Sequence, residues 1–109
     1  MILLILLLVT TEGPTLEQAR TCQAHMEIMI EDVVREGGHV AGPTWFIRGW
    51  WERKAIEVGA PEDDSVELAA ARTALGAMRA AEPEQFEAGR QACVDTAIDA
   101  GAVPGMGPA

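Results

Sequence analysis

The chain contains no tyrosine, two histidines and two cysteines, and only eight lysines and arginines against seventeen acids. Each scarcity excludes something. A formal charge of −9 repels a phosphate backbone or an anionic lipid surface except at a locally basic patch, so nucleic acid is not expected as a partner. The small stock of histidine, cysteine and tyrosine leaves little for a multi-residue catalytic centre. No G-x-S-x-G, H-E-x-x-H, C-x-x-C-H or glycine-rich phosphate loop occurs, and a non-enzymatic protein without cofactor is expected. An acid or base role for His25 or His39 is the enzymatic alternative. The calcium-loop pattern D-x-D-x-D-G is missing around Glu62, Asp63 and Asp64. These acids read as a solvated cap, and no metal site is assigned.

Long apolar stretches are also scarce. The one present, Ile2 to Val9, covers about 12 Å as a helix while a bilayer core is roughly 30 Å thick, so it cannot span. Its length suits the hydrophobic region of a signal peptide, although no Lys or Arg precedes it and Val9-Thr10-Thr11 is a poor cleavage site. Residues 1–11 are therefore read as a signal-peptide-like leader, with a periplasmic or secreted product. If the run is not a leader, it is a buried element of a cytoplasmic protein. Ala19-Arg20-Thr21 before Cys22 argues against a lipoprotein.

What remains has helical periodicity throughout. Thr15 and Gln18 have the form of a capping box, and Ala19, Cys22, Met26, Met29 and Val33 follow at spacings of three and four until Gly37-Gly38. A second helix is predicted from Thr44 to about Val58. A third runs from the cap Asp64, with Glu67, to about Ala81 along Leu68, Ala71, Leu75 and Met78. A fourth starts at Pro83 and carries Phe86, Gly89 or Arg90, Cys93, Ala97 and Ala100 inward. Residues 12–100 are thus expected to form an all-α, small four-helix up-down bundle, and 101–109, rich in glycine and proline, a flexible tail.

Cys22 and Cys93 lie about seven residues from the start of the first helix and from the end of the fourth. Antiparallel packing would place both roughly 10 Å from the same end of the bundle, so a disulfide is expected. In the chain-entropy model such a bridge contributes about 4 kcal/mol before strain. The alternative use of the same atoms, Cu(I) or another metal held by Cys22, His25 and Cys93 with Met26 and Met29, needs free thiolates.

The second helix carries four of the five aromatic residues, Trp45, Phe46, Trp50 and Trp51, together with Arg48, Arg53 and Lys54. Ile47, Trp51, Ala55 and Val58 make one apolar face, while Trp45, Gly49 and Ile56 fall on nearly the opposite side. One face cannot bury all of these. Either the helix is sandwiched, or Trp45, Arg48, Trp50 and Arg53 form a binding surface for a protein, a small ligand or a second copy of the chain.

Thr21-Cys22, Cys93 and the helical pattern between them resemble short exported bacterial all-helical proteins with a single cysteine pair, a resemblance covering about residues 15–100. It implies an exported helical domain and no specific activity. A looser likeness links the chain to acid-stress periplasmic chaperones, also small, helical and held by one disulfide. The composition suggests an acid-responsive holdase on its own account. Neutralising seventeen carboxylates between about pH 5 and 3 would carry the net charge to about +10 and loosen an alanine-rich core.

Overall fold

A computed structural model describes residues 13–107. Four helices follow one another: α1 (Leu16–Arg35), α2 (Gly42–Glu57), α3 (Ser65–Ala81) and α4 (Pro83–Asp99). There is no strand among the described residues.

The first helix begins as its sequence dictates. Thr15 Oγ1 accepts from the Gln18 amide at 3.1 Å and Gln18 Oε1 accepts from the Thr15 amide at 2.8 Å, which satisfies two of the orphan donors at the helix start. It ends at Gly37, whose φ of +81° belongs to the left-handed region; Gly37 and Gly38 donate back to the Val34 and Val33 carbonyls. The same fold-back recurs after α2 and α4. It brings Ala60 against the core and buries Ala102 beside Ala97.

Three local expectations are corrected. α2 opens at Gly42, with Ala41 as its cap and Pro43 inside the first turn, two residues ahead of the expected Thr44. Proline needs no amide there. Asp64 does stand at the N-cap of α3, but its side chain makes no capping bond. Its carboxylate instead accepts from Arg20 Nε and Nη2 at 2.8 and 2.9 Å, a bidentate charged pair that outcompetes a single amide. Third, the flexible tail assigned to 101–109 is folded at its start. Ala102 and Val103 are buried, and Gly107 lies so close to the Ile98 carbonyl that a Cβ there would collide with it. Apolar burial outweighs the glycine and proline content of this segment.

Chain direction alternates. Leu16 lies beside Gly59 and Glu27 beside Arg48, so α2 runs against α1. The pairs Arg20–Asp64, Glu27–Arg72 and Asp32–Arg79 ascend both helices in the same order, so α3 runs with α1. Cys22–Cys93 and His25–Phe86 descend α4, which is antiparallel again. Within this bundle α1 touches all three partners, whereas α2 and α3 do not touch. The cross-section is a rhombus with α1 and α4 on its short diagonal. This explains why Cys22 to Met26 are buried without interruption, on every side of α1.

Two apolar clusters result. Toward α2 lie Ala19, Cys22, Met26, Ile47, Trp51, Ala55, Cys93, Ala97, Ala102 and Val103; toward α3 lie only Ala24, Leu75 and Phe86, backed by Ile28, Ala71 and Met78. The first cluster contains the disulfide Cys22–Cys93, with Cα atoms 5.4 Å apart and 71 residues of separation. The second has no covalent tie and is closed at its rim by arginine–carboxylate pairs.

Candidate functional site

The aromatic helix divides by exposure. Ile47, Trp51 and Ala55 are buried, and Trp51, 2% exposed, donates its indole N–H to the Cys93 carbonyl at 3.0 Å. Trp45 and Phe46 are each 50% exposed and Ile56 is 54% exposed. At 100° per residue Trp45, Gly49, Arg53 and Ile56 share the face turned away from α1 and α4. Gly49 leaves a notch in that face, over which the Arg53 guanidinium folds; a Cβ at Gly49 would stand 3.3 Å from Arg53 Nη1.

The four residues expected to form one binding surface are therefore not brought together on it. Trp45 and Arg53 are exposed, and Arg53 has no ion pair among the described residues. Arg48 is half-buried between Glu27 and Glu52, 3.7 Å from each. Trp50 is half-buried against the first cluster, edge-on to Trp51 at 4.8 Å between ring centroids, with Lys54 Nζ 5.2 Å above its ring. Trp45, Phe46, Arg53 and Ile56 make the outward surface. Phe46 and Ile56 were legible as apolar residues outside the Ile47–Trp51–Ala55 stripe. The Glu27 partner that draws Arg48 inward, on another helix, was not.

A second feature lies across α1 at the α3–α4 corner. Phe86 is buried between the guanidinium groups of Arg79 and Arg90, each 4.9 Å from the ring centroid, and the His25 ring packs against it at 4.9 Å. Asp32 joins the corner to α1. It accepts from Arg79 Nη2 at 2.8 Å, from Arg35 at 3.1 Å and from Arg90 at 3.5 Å. The Arg79 hydrogen bond is the main reason its carboxyl lies below the usual aspartate range, against an opposing effect of partial burial. Arg79 is correspondingly raised. Alongside, Arg72 bridges Glu27 and Glu31.

His25 is 2% exposed, and its Nδ1 is buried with no hydrogen-bond partner. Burial, followed by the neighbouring Arg90 charge, lowers its pKa to about 4, with Glu87 acting weakly the other way. It is a neutral imidazole at pH 7. Gly89 makes room for it, because a Cβ at that position would lie 3.2 Å from His25 Nε2.

A groove of about 690 Å³ runs beside the disulfide, lined in part by Thr15, Gln18, Thr21, Trp51, Ala92 and Thr96. Thr15 and Gln18 are already engaged with one another. The soft-metal reading of Cys22, His25 and Cys93 is overturned, since the disulfide consumes both thiolates. No cluster of three or more His, Cys, Asp or Glu placed to hold a metal exists among the described residues. None of the described helices is long and apolar enough to cross a membrane. The leader assigned to 1–11 lies outside the described residues. Compared with protein-family models, with curated proteins and with solved structures, the chain matches none.

Proposed function

We propose that the protein is a non-enzymatic exported binding domain whose contact surface is the outward face of α2. The observation that carries this reading is the half-exposure of Trp45, Phe46 and Ile56 together on a helix whose other side is fully packed. Exposed aromatics flanking an arginine have the composition that dominates binding hot spots. On α2 the bases Arg48, Arg53 and Lys54 outnumber the acids Glu52 and Glu57, in a chain of net charge −9. The complementary occupant is an apolar peptide segment bearing carboxylates, with its acids toward Arg53.

Selection from a random peptide display library tests the reading. Acidic, apolar sequences should be enriched on the wild type and lost on Trp45→Ala/Phe46→Ala and on Arg53→Glu. Failure to enrich any sequence, or equal binding to the variants, sinks it. Sedimentation at several concentrations tests the remaining occupant, a second copy of the chain.

An acid-responsive holdase is the second reading, favoured by the buried neutral His25 near Arg90, its ring packed on the Phe86 ring that Arg79 and Arg90 flank. It requires suppression of a test protein's aggregation at pH 3 and none at pH 7. Equal aggregation with and without the protein at pH 3 excludes it.

A further inference from the structure

We propose that the corner formed by α3 and the first half of α4 is an acid-operated latch, released from α1 by protonation of His25 and Asp32 while the Cys22–Cys93 bond keeps the rest of the bundle closed. The inference concerns the opening itself and depends on neither reading of the partner.

The two sides of α1 are held by different kinds of force. On the α2 side, ten buried residues, a covalent bond and the Trp51–Cys93 hydrogen bond act together, none of which titrates in mild acid, and the ion pair there, Arg48–Glu27, is a long one at 3.7 Å. On the α3 side only Ala24, Leu75 and Phe86 are buried, so closure leans on Arg79–Asp32, Arg90–Asp32, Arg72–Glu31 and Arg20–Asp64. Every one of these pairs has a carboxylate as its acid-labile half. Asp32 is the hub, because it alone reaches α3 and α4 at once.

His25 sits under the same corner. The charged groups around it are Arg90 and Glu87 of α4, with Arg79 of α3 stacked on the Phe86 ring that His25 also touches. α2 turns Ile47, Trp51 and Ala55 into the core. A proton on His25 places a cation beside Arg90 in a cavity where Nδ1 has no acceptor. The buried imidazolium is relieved only by separation of α4 from α1 near Gly89, so water can reach the ring. Protonation of Asp32 then removes the counter-charge shared by Arg79 and Arg90. α4 has a natural place to part, since Gly89 lies between Phe86, which belongs to the latch, and Cys93, which is tethered.

Hydrogen exchange on the disulfide-intact full chain between pH 7 and 3, corrected for intrinsic exchange rates, tests the latch. Amides of residues 68–90 should lose tenfold or more of their protection at a higher pH than those of residues 47–55 and 93–97. His25→Gln, which cannot charge, should move that loss to lower pH, and Asp32→Asn should move it to higher pH. Simultaneous loss in all four helices of the wild type overturns the proposal, as does a His25→Gln midpoint equal to that of the wild type. Opening in this order without protection of a test protein from aggregation supports the latch and removes the holdase.

Discussion

The indole of Trp51 and the backbone of Cys93 are joined by a buried 3.0 Å hydrogen bond, which ties α2 to α4 at the same residue whose sulfur ties α4 to α1. Three helices thus meet at one position. Trp51→Phe keeps an aromatic ring but removes the donor and leaves unfilled volume; a loss of about 1–3 kcal/mol is expected by urea unfolding. Reduction of the disulfide should cost a further 2–4 kcal/mol or so, read in the same experiment with and without reductant.

Gly89 and His25 should be energetically coupled. In an ordinary helix interior Gly→Ala stabilises by roughly 0.5–1 kcal/mol. Here the added methyl meets a ring that is enclosed on all sides, so Gly89→Ala should destabilise the wild type. In a His25→Ala background the same change should stabilise. A double-mutant cycle by chemical denaturation checks the reversal of sign.

The His25 pKa is depressed on folding from 6.5 to about 4, so the unfolded chain binds the proton first. Stability is unaffected by this group above about pH 6.5 and falls as pH drops from there to about 4, by on the order of 3 kcal/mol. Asp32 is depressed below 3.8, and its contribution is present above that value and lost below it. The two windows adjoin. Unfolding free energy measured against pH should decline in both, and His25→Gln should flatten only the upper one.

Trp45 and Trp51 differ in exposure by 50% against 2%. Iodide should quench one part of the tryptophan emission and leave a blue-shifted part untouched. Trp45→Phe should remove most of the quenchable fraction. Emission that is uniformly blue-shifted and unquenched would mean that α2 is covered.

The sequence carried the local signals faithfully where a residue's nearest rival partner was its own backbone. Thr15, Gln18, Gly37 and Pro83 are of this kind, and the cysteine pair followed from helix length once antiparallel packing and an exported chain were assumed. It misled at Asp64, whose spacing to Glu67 looked like a cap, because Arg20, 44 residues away, offered a stronger bond. Arg48 was placed on the binding surface for the same reason: its partner Glu27 belongs to another helix. The burial of His25 had no local sign at all, since it depends on the missing side chain of Gly89, 64 positions downstream. At the tail, composition spoke for mobility while Ala102 and Val103 were simply apolar enough to be recruited.

Because α2 and α3 lie on opposite flanks of the α1–α4 diagonal and never meet, the proposed contact surface at Trp45 and Phe46 would be insulated from the proposed opening at Leu75 and Phe86. The layout would let a single short chain hold on one side while it changed shape on the other, with the sulfur bridge as the bulkhead between them.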